Sequence, residues 1–470
     1  MAPTATAPPP FTAEDIAAER AAVAGRVLLP GEPGFAEING RIFNHMFADR
    51  TPAVIFQPRG TADVVRAVRF GAKHKLPVVP RCGGHSAAGR STTDGGVLVD
   101  LSQLHHVVVD RAQSRVHIGG GCLLGDVDRE LALYGLVVPL GTYQNTGCGG
   151  LMLHGGMGLL SAAHGLSVDN ILEAEVVTAA GEVVVASPTS HEDLFFGIRG
   201  AASFFGIVTR ITLQAFPIAP EVHGGCILQP LAQFSDLARH IEVQLRRTKE
   251  RTELGAFKFL VGGPNGPAIM TLACDTSADE ARALEPLNEF ASLGPVVAGG
   301  FGRAPFWRIN SSFGDFIHAK PPPPARQYWR GFVVPTSRAT EPDFQAAFQE
   351  AARLAVTSEH TPATLIIFEP WQHGIATHPN ASPICNIRGS YVVFAFIFGW
   401  LTHQPDEPAM QVVHKATELM LPFVADLNYI NYTGQPDAPA KLGRPISDEV
   451  RTKLRALKAK WDPDNFFPTL

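Results

Sequence analysis

Apolar residues recur with two periods along this chain, and the switches between them predict its elements. Thr12-x-x-Asp15 opens an alanine-rich helix in capping-box style. Thr61 opens another, whose Val64, Val65 and Val68 lie on one face. Short apolar runs at 76–80 and 97–101 read as buried strands. Residues 116–121, a helix over 126–134 and a hairpin over 173–187 continue the alternation of α and β. The strand-like run ending near Phe216 stops at PIAP, residues 217–220, where proline breaks a strand and a boundary is expected. Beyond it, helices near 278–292, 341–356 and 408–424 are separated by strands near 255–261, 330–335, 365–369 and 391–400, the pattern of an antiparallel α+β unit. A basic helix over 447–460 precedes WDPDNFF, and no internal repeat interrupts this order.

One stretch obeys neither period. Seven of the eighteen residues 141–158 are glycine, namely Gly141, Gly147, Gly149, Gly150, Gly155, Gly156 and Gly158. Such density means backbone brought close to something else, and rows of main-chain N–H groups in such turns form concave anion sites that usually hold phosphate. Leu151, Met152 and Leu153 want burial, so the stretch is no linker.

Composition narrows the picture further. With 470 residues and 45% hydrophobic content, the chain can bury a large core divided into two or three units. A formal net charge of −5 offers no basic surface for nucleic acid. Six cysteines without a CxxC fit reduced thiols. The opening MAPTATAPPPFTAED has neither a basic nor an apolar signal region and reads as a disordered tip. The longest apolar run, 391–400, is about half what spans a bilayer. A cytoplasmic protein without membrane contact is therefore expected. No GxGxxG follows an early strand, which argues against a Rossmann nucleotide site.

RCGGHS at 81–86, the glycine stretch, HGLSVDN at 164–170, DLFFGIRGAASFFGIVT at 193–209, and YINY at 429–432 with WDPDNFF carry a resemblance. In kind and order they are similar to the motifs of FAD-linked oxidases of the vanillyl-alcohol-oxidase and berberine-bridge-enzyme type, most of all to the branch that includes 6-hydroxy-D-nicotine oxidase. From 220 to 420 only the order of strands and helices resembles that family. The resemblance implies an α+β protein: an N-terminal tip and helix over 1–29, a two-part PCMH-type FAD-binding domain over 30–217, a central substrate domain over 218–424 with an antiparallel sheet flanked by helices, and a segment over 425–470 that returns to the FAD domain.

It also implies roles. Two separate glycine loops would grip an extended FAD. Arg81, Cys82, Gly83, Gly84, His85, Ser86 and Gly89 make the first, with N–H groups and the Ser86 hydroxyl turned to the pyrophosphate. The second contributes Gly141, Thr142, Thr146, Gly147, Gly149, Gly150, His154, Gly155, Gly156 and Gly158. In this family the histidine at the position of His85 bonds to the 8α-carbon of the isoalloxazine, which needs a neutral imidazole as nucleophile. Bicovalent relatives carry a cysteine where Tyr143 stands, so a single histidyl link is expected and Cys148 reads as a packed thiol. Asp169 and Asn170 match the family's DN pair and would order the loop near the adenosine, while Gly206, Ile207 and Val208 would lie along the adenine or ribitol. His154 stands where glycine or asparagine is common, and either points at the flavin or fills space. Phe204 replaces an asparagine. His191, Glu192 and Asp193 do not share a face, so no metal site is expected.

Flavin would supply the redox step, and the protein orientation and a base. Asn431 would hydrogen-bond the pyrimidine edge, as in relatives, and Tyr429 or Tyr432 would face the pocket. On an extended segment 429 and 431 share a face and 432 takes the other, which leaves the two phenols open as the base. Glu369, Trp371, His373 and Arg330 are candidates to read a polar or aromatic substrate. The expectation is an oxidase that takes hydride from a carbon bearing hydroxyl or amine and passes electrons to O2, giving hydrogen peroxide. Two alternatives stand beside it: a non-redox lyase or cyclase of secondary metabolism on the same scaffold, and a flavin dehydrogenase with another acceptor. Packing around Thr146 would decide oxygen access. The protein is expected to act on a small molecule as a monomer or homodimer. The tetraproline at 321–324 reads as a stiff connector.

Overall fold

The computed structural model describes residues 9–249, 251–262, 266–318, 325–371, 373–433 and 442–468. The tetraproline and the first eight residues of the tip lie outside this set. Thr12 caps the helix Ala13–Ala22 as its pattern predicts, its hydroxyl accepting from the Asp15 N–H while its own N–H donates to the Asp15 carboxylate.

Four strands follow: β1 (Arg26–Leu28), β2 (Val54–Gln57), β3 (Val78–Arg81) and β4 (Val97–Asp100), ordered β1-β2-β4-β3. β2 and β3 each run parallel to β4, so the chain between them must cross over. The helix Thr61–His74 makes that crossing and buries Val64, Val68 and Phe70 against the sheet. Next come β5 (Val107–Asp110), β6 (Arg115–Gly119), β7 (Leu136–Val137), β8 (Ile171–Thr178), β9 (Val183–Ala186), β10 (Gly206–Gln214) and β11 (Phe216–Pro217). Five of them form a second sheet in the order β5-β6-β10-β8-β9, and β7 pairs with β11.

The remaining strands are β12 (Val222–Pro230), β13 (Leu254–Val261), β14 (Ala268–Asp275), β15 (Ala298–Ala304), β16 (Ala325–Pro335), β17 (Leu365–Trp371) and β18 (Tyr391–Leu401). They make one antiparallel sheet ordered β15-β12-β14-β13-β17-β18-β16. Side chains alternate across it. Phe332, Phe368, Phe394 and Phe396 face the helices Asp236–Lys249, Pro342–Thr357 and Asp406–Met420. Phe257, Phe259, Met270, Ile367 and Ile397 face the other way and join the core of the glycine-rich half.

Several elements differ from the pattern reading. The helix expected over 126–134 runs Leu124–Ala132, because Asp126 sits inside its first turn and accepts the Leu123 N–H at 3.2 Å. β12, β14, β15 and the helices Asp236–Lys249 and Phe306–His318 were not predicted. β12 carries Gly224 and Gly225 in its first half, and β15 reads AGGFGRA, so neither has the β-branched alternation that marks a strand. Phe306–His318 holds two serines and Gly314, poor helix formers held there by packing. Among the described residues, no helix is long and apolar enough to cross a membrane.

The C-terminal helix Asp448–Trp461, capped by the Ser447 hydroxyl, brings the chain back to the glycine-rich half. Its Lys458 is buried and donates to Phe204 O, Phe467 O, Pro468 O and the Asp462 carboxylate. Lys458→Met strands that carboxylate and those carbonyls together, and is expected to lower unfolding free energy by about 3–5 kcal/mol. A urea midpoint unchanged from the parent protein would refute this.

Candidate active site

A cavity of about 1740 Å³ opens between the two glycine loops and the inner face of the seven-stranded sheet. Ligand sites for one small molecule hold roughly 300–1,000 Å³, so this one has room for a dinucleotide with a substrate beside it. Cys82, Gly83, Gly84, His85 and Ser86 line it from the first loop; Gly141, Thr142, Thr146, Gly147, Gly149, Gly150 and His154 line it from the second. Gly206, Val208, Glu369, Asn431 and Tyr432 complete the set brought together from distant segments.

The loops touch through bare backbone. A Cβ on Gly83 would stand 2.4 Å from Gly147 N, and one on Gly147 would stand 2.3 Å from Gly83 N. Nothing lies within 4 Å of where a Gly150 Cβ would be, so that part of the loop faces open space. Two backbone ribbons pressed together at the edge of a long cavity fit an extended dinucleotide, which is gripped mainly through main-chain groups.

His85 sits on this edge with its ring stacked on Phe43 at 4.5 Å and 15°, and tilted against Tyr143 at 5.4 Å. Burial pushes its imidazole down to about 4, so the ring is neutral at physiological pH. Ser86 Oγ accepts the Arg90 N–H at 2.9 Å, which leaves its hydrogen free to donate. His154 is tethered at both nitrogens, Nδ1 at 2.9 Å from Gly150 O and Nε2 at 3.1 Å from Ser203 Oγ. It lines the cavity in a neutral state, burial pushing it down to about 4. Cys148 is fully buried and its thiol is raised well above the ordinary value by desolvation, as a packed cysteine should be.

Other residues named from the sequence stand behind the cavity wall. Arg81 turns its guanidinium inward to Ile38 O, Asn39 O and Asp100, and so braces the first loop from beneath. Gly89 packs on the Phe47 ring. Gly158 donates to Ser161 Oγ, and Ile207 points into the core of the first sheet. Asp169 forms a two-pronged ion pair with Arg388 at 2.7 and 2.8 Å and accepts the Ser382 N–H, while Asn170 Nδ2 donates to His164 O and Leu166 O. The DN pair therefore ties the 164–170 turn to the 382–388 segment and does not reach the cavity.

The YINY segment departs from its expected extended form. Ile430–Tyr432 is a 3₁₀ turn, closed by Tyr432 N donating to Tyr429 O at 2.8 Å. The two phenols consequently meet at 4.9 Å and 90° instead of pointing to opposite faces. Tyr429 is 2% exposed and lies off the cavity. Its Oη accepts from Gly156 N at 2.7 Å and Asn431 Nδ2 at 2.9 Å, and its ring fills the space that a Gly155 Cβ would need. Tyr432 lines the cavity, and its Oη donates to Glu369 Oε1 at 2.7 Å. Burial pushes the Glu369 carboxyl up to about 7 against the pull of Tyr432 and Trp371, and raises the Tyr432 phenol well above its ordinary value.

Of the four candidate substrate residues, only Glu369 reaches the cavity. Trp371 is wholly buried, edge-on to Tyr429 at 4.8 Å. His373 Nε2 is spent on Thr248 O at 3.0 Å. Arg330 alternates to the helix-covered face, donates to Tyr328 Oη at 3.1 Å and stacks over that ring. Phe43, Phe259 and Phe313 were missed. None of them falls in a recognisable motif, and only long-range packing brings each to the site.

Gly83→Ala drives a methyl into the Gly147 backbone and is expected to yield folded protein with little retained flavin. The ratio of visible to ultraviolet absorbance after purification checks this, and a fully yellow variant would overturn the cradle.

Comparison with known proteins agrees with this geometry. A family described as FAD binding domain matches residues 52–187. Chitooligosaccharide oxidase of Gibberella zeae is 39% identical over 441 residues, covering 88% of this chain and 86% of that enzyme. (R)-6-hydroxynicotine oxidase of Paenarthrobacter nicotinovorans is 36% identical over 205 residues, a match spanning 44% of this chain and 44% of that relative's length. The crystal structure of 6-hydroxy-D-nicotine oxidase from Arthrobacter nicotinovorans superposes with a TM-score of 0.81 at 25% identity, covering 95% of this chain and 96% of that one. Paired glycine loops, the sheet above them and full-length similarity together make this chain a member of the FAD-linked oxidoreductases of the vanillyl-alcohol-oxidase and berberine-bridge-enzyme type.

Proposed function

We propose that this flavoenzyme is an oxidase that takes hydride from a carbon bearing hydroxyl or amine in a small molecule, with Tyr432 and Glu369 as its proton acceptors and O2 as the final electron acceptor. The observation that carries this is the 2.7 Å hydrogen bond from Tyr432 Oη to Glu369 Oε1 on the cavity wall, next to Asn431. When bound, FAD supplies the hydride acceptor and returns electrons to oxygen as hydrogen peroxide.

The chain's own part is to orient the substrate and remove a proton. Tyr432 keeps its proton at neutral pH, because desolvation and the adjacent Glu369 both oppose a phenolate. The phenol therefore works as a relay. It accepts the proton of the reacting hydroxyl or amine as it gives its own to Glu369, which must be ionised to receive it. Tyr429 has no such outlet, since both hydrogen bonds at its Oη come from donors. It is a post that fixes Gly156 and Asn431.

The reading includes one covalent tether, from His85 to the 8α-carbon of the isoalloxazine. A neutral imidazole on the cavity edge has the free lone pair such a bond needs. Tyr143 occupies the place from which a second, cysteinyl bond would come. Acid precipitation should leave yellow colour in the protein pellet, and His85→Ala should release it to the supernatant. Colour retained by that variant would count against the tether.

Proton removal sets the pH profile. The carboxylate is the working form, so anaerobic flavin reduction is expected to rise through about pH 7 and then level off. Glu369→Gln and Tyr432→Phe should each slow reduction by about 10²–10⁴-fold and flatten that rise, whereas Tyr429→Phe keeps the profile. Burial also favours the neutral acid in the fold. The stability from this group is present in acid and is lost as pH rises from 4.5 through about 7, a slope that Glu369→Gln removes. Stopped-flow reduction by Glu369→Gln at the parent rate would sink the assignment.

A further inference from the structure

Among the described residues that line the cavity, Arg90 is the one arginine or lysine. It follows directly on the first glycine loop. Gly89 N–H donates to Ser86 O at 3.3 Å with Gly89 in the left-handed region at φ +68°, and this turn lets Arg90 N–H donate to Ser86 Oγ at 2.9 Å. The guanidinium lies over the Phe204 ring, 5.5 Å from its centre. Phe204, which stands where the family pattern has an asparagine, is buried, and its carbonyl is held by Lys458 Nζ at 2.7 Å. The platform under the arginine is therefore fixed.

Nothing within the protein neutralises this charge. Among the described residues no carboxylate pairs with the Arg90 guanidinium, and no oxygen accepts from it. Arg90 is exposed, yet desolvation lowers its guanidinium from the ordinary value, because the space it faces is the enclosed cavity and not the outer surface. Its field is felt across that space. Desolvation, opposed by the Gly150 hydrogen bond and aided by the Arg90 charge, pushes His154 down to about 4.

We infer that Arg90 is the counter-charge of the FAD pyrophosphate, its guanidinium fork gripping phosphate oxygens beside Ser86 while the Phe204 ring holds it in place. The assignment belongs to the flavin cradle and stands whether or not Tyr432 and Glu369 relay a proton. A pyrophosphate brings negative charge on both phosphates into a chain whose formal net charge is already −5. Main-chain N–H groups answer it with partial charges only. The histidines of the lining, His45, His85 and His154, are pushed toward the neutral form by desolvation. A single full cation remains, and its planar fork matches phosphate oxygens as an ammonium does not.

The test titrates FAD and riboflavin into full-length His85→Ala protein freed of flavin, with and without Arg90→Met or Arg90→Lys, and follows flavin fluorescence at low and high salt. Arg90→Met is expected to raise the Kd for FAD by about 10–100-fold, the range of a lost hydrogen bond to a charged group, and to leave the Kd for riboflavin unchanged. The weakening of FAD binding by salt should flatten in the same variant, since a screened ion pair is no longer there. Arg90→Lys should fall between the two, because it keeps the charge and loses the fork. An FAD Kd within about threefold of the parent overturns the inference, and so does an equal loss for riboflavin, which would mean that Arg90 acts through its packing on Phe204. Phosphorus NMR of the flavin-loaded parent and Arg90→Met proteins is the second readout, independent of the His85 background. The pyrophosphate resonances are expected to move between the two, and unchanged resonances overturn the contact.

Discussion

Contact between the backbones of Gly83 and Gly147 is the constraint on which the site depends. At those two positions any Cβ would lie within 2.4 Å of the opposing main chain, so the loops can close on each other only as bare ribbon. Closure puts the His85 edge of one loop alongside Thr146, Gly149 and Gly150 of the other and forms the floor of the cavity. Arg81 supports that floor from below through its buried ion pair with Asp100 and two carbonyls. The cysteine thiols nearby are protonated and buried or half-buried, which keeps them as packing and leaves the floor chemically quiet.

Above the floor, burial sorts two neighbouring tyrosines into different work. They lie three residues apart in one tight turn with their rings in contact at a right angle. Donors surround Tyr429 Oη, and a phenol that only accepts becomes a structural pin between the glycine stretch and Asn431. An acceptor faces Tyr432 Oη, and the carboxyl concerned is poised by desolvation near neutrality. Proximity alone could not have distinguished them; the direction of their hydrogen bonds does.

The seven-stranded sheet supplies the remaining division of labour. Its alternate side chains face either three helices or the cavity, so a shift of one residue moves a side chain from site to core. Arg330 and Trp329 illustrate this. They are adjacent in sequence, yet the arginine packs on Tyr328 beneath the helices while the tryptophan looks into the cavity. A lining that is apolar apart from Glu369 and Gln327 follows from that register.

The linear pattern by itself determined a good deal. Capping chemistry at Thr12, the helix starts at Thr61 and Ser447, the apolar runs of β3, β4, β17 and β18, and the glycine density of 141–158 are local properties, so the elements and the flavin-type loops were legible without any fold. Motif order carried the family. What lay beyond reach depended on direction and on distant neighbours. The inward turn of Arg81, the diversion of Asp169 to Arg388, and the arrival of Phe43 and Phe313 at the cavity are set by contacts between residues dozens to hundreds of positions apart. β12 and β15 were invisible because glycine-rich strands hold their place through ladder partners, not through their own side chains. Only the tertiary structure decided which tyrosine faces the cavity, because hydrogen-bond direction and desolvation arise when three separate segments close around one point.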